Sequence, residues 1–151
     1  MSGVAIVTDS ASDLPAERAA QAGVTVVPLY AYFGEREYKA GVDLSYEDFW
    51  RELTAPGAPF PKTAAASPGA FKDAFENLFA QGHDEIVCIN VGSKLSATMN
   101  SAKIAAGLMA ERKIQVVDSE SATLGQGILV LLAAQRAKEG WTGDQIVAEL
   151  E

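Results

Sequence analysis

Three short apolar runs, each passed through a hydroxyl-rich loop to a helix-like stretch, constrain the fold of this chain more than any other feature. Val4-Ala5-Ile6-Val7 leads into Thr8-Asp9-Ser10-Ala11-Ser12-Asp13, and Ile114-Gln115-Val116-Val117 leads into Asp118-Ser119-Glu120-Ser121-Ala122-Thr123. Between them, Ile86-Val87-Cys88-Ile89-Asn90-Val91 leads into Gly92-Ser93-Lys94-Leu95-Ser96-Ala97-Thr98-Met99-Asn100-Ser101. Short continuous apolar runs read as strands buried on both faces, and strands alternating with helices read as an open parallel sheet. Ligands of such sheets bind outside the carboxyl ends of the strands, where these loops lie. A loop that begins a helix offers free N–H groups and a positive dipole end. Hydroxyls without a basic cluster then suit a small anion such as a carboxylate. The expected fold class is α/β, a mainly parallel sheet flanked by helices.

The remaining punctuation divides the chain further. Asp13 is a candidate N-cap for a first helix with Pro15 in its first turn, and Gly23 ends it. Residues 24–33 read as strand, broken at Pro28, with Gly34-Glu35-Arg36 turning a hairpin into residues 37–39. Ser45 and Asp48 open a helix that stops before Pro56-Gly57-Ala58-Pro59. Ser67-Pro68 starts another, with Phe71, Phe75, Leu78 and Phe79 on one face and Gly82 at its end. Helices are expected over 96–110 and 123–139, the latter nearly apolar all round as far as Ala134. Thr142 and Gln145 form a capping-box pair before Ile146, Val147 and Leu150.

Length and composition exclude several classes of function. The 151 residues fit one domain, and 48% hydrophobic with 21% charged residues describes a folded globular chain. A net charge of −8 without a Lys/Arg run argues against a nucleic-acid partner, whose affinity rests on phosphate neutralisation. The longest apolar run, 128–134, is too short for a membrane span. The lone Cys88 excludes an internal disulfide and fits a reducing compartment. Met1-Ser2-Gly3 runs directly into strand-like residues without a leader pattern, so a cytoplasmic location is expected.

Four stretches carry a resemblance that covers nearly the whole chain: residues 4–14, 63–71, 92–102, and 116–119 through Gly125-Gln126-Gly127. In that order they resemble the first domain of the DegV family, bacterial two-domain proteins that bind fatty acids. The resemblance implies a non-catalytic carrier for a long-chain fatty acid, with no cofactor besides that ligand. It implies a carboxylate held by Thr63 and Ser96, and the loops at the strand ends add Asp9, Ser10, Ser93, Ala97, Thr98 and Ser119 as candidate secondary site-lining residues. It also implies an ATP-binding fatty acid kinase subunit as partner. On this reading residues 1–141 form the family's N-terminal α/β domain, and 142–151 begin a linker helix toward a missing second domain. The chain departs from the family pattern at Ala64 to Ala66, where polar residues are usual, and at Ala97, where glycine is usual.

The same residues admit plainer roles. Ser96 and Thr98 serve equally well as helix caps. Asp9 and Asp118 could cap helices or form a magnesium pair. Gly125-Gln126-Gly127 fits close helix packing better than a dinucleotide fingerprint, which needs a third glycine. The main alternative function is a small phosphotransferase or hydrolase using Asp9. It is weakened because Ala11 stands where such enzymes need a second carboxylate, and because no Gly-x-Ser-x-Gly elbow occurs. The only histidine, His83, is expected at the strand-entering side. A third alternative is a protein-interaction fragment with no ligand of its own.

Overall fold

The continuous apolar runs become the two central strands because both of their faces are covered. The computed structural model describes residues 3–151; Met1 and Ser2, on which the leader reading partly rests, lie outside the described residues. In chain order the elements are β1 (Val4–Asp9), α1 (Ala16–Ala22), β2 (Val24–Val27), β3 (Tyr30–Phe33), β4 (Arg36–Lys39), α2 (Tyr46–Thr54) and β5 (Lys62–Ala64). There follow α3 (Pro68–Ala80), β6 (Glu85–Asn90), α4 (Thr98–Gly107), β7 (Lys113–Asp118), α5 (Thr123–Lys138) and α6 (Gly143–Leu150). A four-stranded parallel sheet runs in the order β2-β1-β6-β7. The fold is mixed α/β, as its strand and loop pattern predicts.

Alternate residues of β1 and β6 feed two cores. Ala5, Val7, Ile86 and Cys88 meet Phe71, Phe75 and Leu78 of α3, with Ala102 and Ala105 of α4. Ile6, Val87 and Ile89 meet Ala19 of α1, Val130, Ala133 and Ala134 of α5, and Ile146 of α6. With apolar side chains needed on both sides, no polar alternation survives in these strands. Burial pushes the Cys88 thiol well above its ordinary pKa, consistent with a small apolar core residue.

The segment broken at Pro28 serves two sheets. β2 joins the parallel sheet, whereas β3 pairs with β4 in an antiparallel hairpin and with β5 on its other side. Gly34, at φ 63°, supplies the left-handed turn residue between β3 and β4. α2 leans on this small sheet: Phe49 and Leu53 pack against Ala31, Phe33 and Leu44. Ser45 caps it by accepting from Asp48 N–H at 3.1 Å. β5 is not anticipated by the sequence pattern, being three residues long and preceded by Pro59 and Pro61.

Asp13 corrects another expectation. A short 3-10 helix, Ser10–Ser12, intervenes after β1, and Asp13 closes it in a left-handed conformation at φ 51°. Pro15 therefore occupies the N-cap position of α1, where its carbonyl accepts from Ala19 N–H at 3.0 Å. Aspartate tolerates the left-handed region better than most residues, which suits it to that turn.

Within residues 142–151 lies α6, Gly143–Leu150, entered through the predicted capping box of Thr142 and Gln145. The helix lies against α5, β6 and β7, with Ile146 fully buried. Gly143 comes so close that an added Cβ would lie 2.7 Å from Glu85 Oε2, the atom that accepts Gly143 N–H at 2.9 Å. Arg136 of α5 grips Glu149 of α6 through two bonds of 2.6 Å.

Candidate functional site

At the carboxyl ends of β1 and β6 a buried aspartate fixes the loops. Asp9 is fully buried and accepts Ala11 N–H at 3.0 Å, Asn90 Nδ2 at 3.0 Å, Val91 N–H at 2.9 Å and Gln126 Nε2 at 3.2 Å. Gln126 Nε2 also reaches Thr8 Oγ1 at 3.0 Å, and Thr8 donates to the Ile89 carbonyl at 2.8 Å. One carboxylate thus ties β1, β6 and α5 together, and with them the positions of Ser10 and Val91.

Asp118 has a comparable structural role at the end of β7. It accepts Ser93 N–H at 3.1 Å and Glu120 N–H at 2.9 Å, and hydrogen bonding from Ser93 holds its carboxyl below the ordinary range. Of the roles open to these two aspartates, anchoring the loops is the one their hydrogen bonds describe. Among the described residues no group of three or more His, Cys, Asp or Glu stands ready to hold a metal.

Above these loops a cavity of about 460 Å³ opens between the parallel sheet and the small antiparallel sheet. Ser10 and Ala11 from the first loop line it, with Val91, Leu95 and Ser96 from the loop after β6. Tyr30 and Ala31 of β3, Thr63 of β5, and Tyr46, Phe49 and Trp50 of α2 close the other side. The wall is largely apolar, with few polar groups, the usual constitution of a small-molecule site. Trp50 and Leu95 remain 59% and 68% exposed, so the apolar wall continues onto the surface.

Thr63 and Ser96, distant in sequence, share this cavity, and Ser10 joins them. Ser10 Oγ accepts Leu29 N–H at 2.9 Å, which leaves its own proton for another acceptor. Thr63 is exposed on the edge strand, and its side chain makes no hydrogen bond among the described residues. Ser96 Oγ accepts Thr98 N–H at 3.2 Å and lies 2.8 Å from Thr98 Oγ1.

Five sequence-expected lining residues do not line the cavity. Asp9 and Thr98 are fully buried beneath its floor, and Ser119 turns its hydroxyl to the Ser121 carbonyl at 3.1 Å. Ser93 is committed to Asp118 through its backbone, and Ala97 lies at the start of α4. Ala97 has φ −77° and ψ 0°, an ordinary right-handed conformation, so no glycine is required there.

Tyr46 adds a polar contact across the cavity. Its hydroxyl donates to Asp13 Oδ1 at 2.9 Å, joining α2 to the loop after β1. Burial, reinforced by that bond, pushes the Tyr46 phenol up to about 12. His83 precedes β6, at the end of the sheet opposite the cavity.

Gln126 escaped the sequence reading as a member of the polar network. The available signal was a polar amide between two glycines inside an apolar helix. Gly127 is the one the packing requires, because a Cβ there would lie 2.8 Å from the Ser12 carbonyl, whereas a Cβ on Gly125 would meet the Ser121 hydroxyl, a side-chain end free to rotate. Close helix packing is thus the use of this Gly-Gln-Gly run.

Comparison with known proteins places this geometry in context. A family model described as "Uncharacterised protein, DegV family" matches residues 3–151. A DegV domain-containing protein of Caldanaerobacter subterraneus is 40% identical over 148 residues, covering 98% of this chain and 52% of the relative. The chain spans about half the length of the curated relatives it matches. A DegV family protein from Thermus thermophilus, described in terms of fatty acid binding, superposes with a TM-score of 0.89 at 32% identity over 98% of this chain and 52% of its own. A stearic acid-binding protein from Eubacterium ventriosum superposes at 0.83 with 32% identity, over 96% and 51%.

Proposed function

The chain belongs to the DegV family, and we propose that it binds a long-chain fatty acid in the cavity between its two sheets. The single observation that carries this reading is one apolar cavity whose lining brings together the hydroxyls of Ser10, Thr63 and Ser96. A fatty acid has the matching chemistry, an apolar tail and a carboxylate that accepts hydrogen bonds but donates none. Thr63 and Ser96 donate to the carboxylate, Ser10 supplies a further donor, and Phe49, Trp50 and Leu95 take up the apolar chain. Each buried CH₂ contributes about 0.8 kcal/mol, and each hydrogen bond to the charged head about 1.5–3 kcal/mol net. The tail therefore supplies most of the affinity, while the hydroxyls fix where the carboxylate lies.

The proposed role is non-catalytic and cytoplasmic: the protein carries the acid and presents its carboxylate to an ATP-binding fatty acid kinase subunit. Fatty acid binding by the similar Thermus and Eubacterium proteins supports the ligand class. No described helix is long and apolar enough to cross a membrane. The test is mass spectrometry of gently extracted protein at its natural length. A co-purifying fatty acid in near-stoichiometric amount is expected. Lipid-free protein that takes up no added fatty acid would contradict the reading.

A further inference from the structure

Thr98 is fully buried, does not line the cavity, and still makes two contacts with the hydroxyl that does. Its backbone N–H donates to Ser96 Oγ at 3.2 Å, and its Oγ1 lies 2.8 Å from the same atom. A hydroxyl carries one proton and accepts two hydrogen bonds. Ser96 Oγ has already filled one acceptor position with the Thr98 N–H, so the outcome depends on which hydroxyl donates across the 2.8 Å contact.

Suppose Ser96 donated. Its only proton would be spent on Thr98, and the Thr98 proton would be buried without an acceptor, since Oγ1 has no other partner among the described residues. A buried donor left unpaired is costly. Suppose instead that Thr98 donates. Both acceptor positions of Ser96 are then filled from behind, the Thr98 proton is satisfied, and the Ser96 proton is released toward the cavity. The second arrangement leaves nothing unpaired once an anion is bound.

We propose that Thr98 is a positioning residue that makes Ser96 an obligate hydrogen-bond donor, and thereby selects a ligand head group able only to accept. The inference rests on the proposed reading of Ser96 as a carboxylate-binding residue. It adds a specificity rule: a carboxylate fits, whereas a head group that must donate to Ser96 finds no free lone pair.

The test measures binding of stearic acid and its methyl ester to the natural-length protein carrying Thr98→Val, Thr98→Ala, Thr98→Ser or Ser96→Ala. Thr98→Val and Thr98→Ala should weaken binding of the acid roughly tenfold, the scale of one charge-assisted bond, and that of the ester, a neutral acceptor, by clearly less. Thr98→Ser should restore wild-type affinity. In a background of Ser96→Ala, Thr98→Val should have no further effect on the acid. Equal losses for acid and ester would show a merely structural role and overturn the inference. So would wild-type acid affinity in Thr98→Val alongside a loss in Ser96→Ala. Wild-type affinity in Ser96→Ala itself would overturn the carboxylate reading, and this inference with it.

Discussion

Replacing Asp9 by asparagine separates an anchor from a nucleophile. The two oxygens of Asp9 accept different pairs of donors: Oδ1 takes Ala11 N–H and Gln126 Nε2, and Oδ2 takes Val91 N–H and Asn90 Nδ2. An asparagine must place its NH₂ against one of these pairs. Gln126 or Asn90 can reverse its amide to accommodate it, but a backbone N–H cannot. Either orientation therefore leaves one backbone donor unpaired, at about 1–3 kcal/mol for the buried Val91 N–H and less for the half-buried Ala11 N–H, and turns the surviving charge-assisted bonds into weaker neutral ones. The combined loss for Asp9→Asn is roughly 2–5 kcal/mol, a large part of the stability of an ordinary domain. Urea unfolding followed by circular dichroism should show the midpoint falling by about a molar or more, given slopes of roughly 1–3 kcal/mol per molar. A variant that unfolds at the wild-type midpoint would refute the anchoring role. If that stable variant also lost turnover of a phosphate ester, Asp9 would instead be the nucleophile.

Two further outcomes follow from the packing and the titration of single residues. Ile146→Ala should destabilise the fold by about 2–5 kcal/mol, because the side chain is fully buried against the parallel sheet; a loss well below this range in urea unfolding would show that α6 does not share the core. The Tyr46 phenol, raised from an ordinary 10.0 to about 12, binds its proton more tightly folded than unfolded. Its contribution to stability is thus fully present below pH 10 and lost as pH rises through about 12, and Tyr46→Phe should remove a late phase from the ultraviolet phenolate titration. A late phase that persists in Tyr46→Phe would belong to another tyrosine and contradict the burial and bonding described for Tyr46.

The parts of the fold legible in the sequence are those fixed by local chemistry. β1, β6 and β7 follow apolar runs, and the starts of α2, α3 and α6 follow hydroxyl caps whose partners lie three residues away. Asp13 misleads because a capping side chain and a left-handed turn residue share one preference, and only the preceding 3-10 helix decides between them. β5 is hidden because its pairing depends on β3, which lies some thirty residues earlier. The cavity is legible only in part. Ser10 and Ser96 belong to loops that any parallel sheet would turn toward a ligand, whereas Ser119 stands in an equivalent loop and spends its hydroxyl on Ser121. Thr63 carries no local signal and enters through the resemblance. Tyr46, Phe49 and Trp50, which the sequence shows only as part of the helix opened by Ser45, become cavity wall once α2 packs on the small sheet.

The account stands most directly on where the carboxylate is held. Titration calorimetry should compare stearic acid with its methyl ester, using the natural-length protein and its Thr63→Val and Ser96→Ala variants. Each substitution should weaken binding of the acid by roughly tenfold to a hundredfold, the equivalent of one hydrogen bond to a charged acceptor, and weaken the ester, a neutral acceptor, much less. Because both hydroxyls address one anion, the double variant should lose less than the sum of the two. Folded variants that bind the free acid as tightly as wild type would place the carboxylate elsewhere and contradict the proposed site.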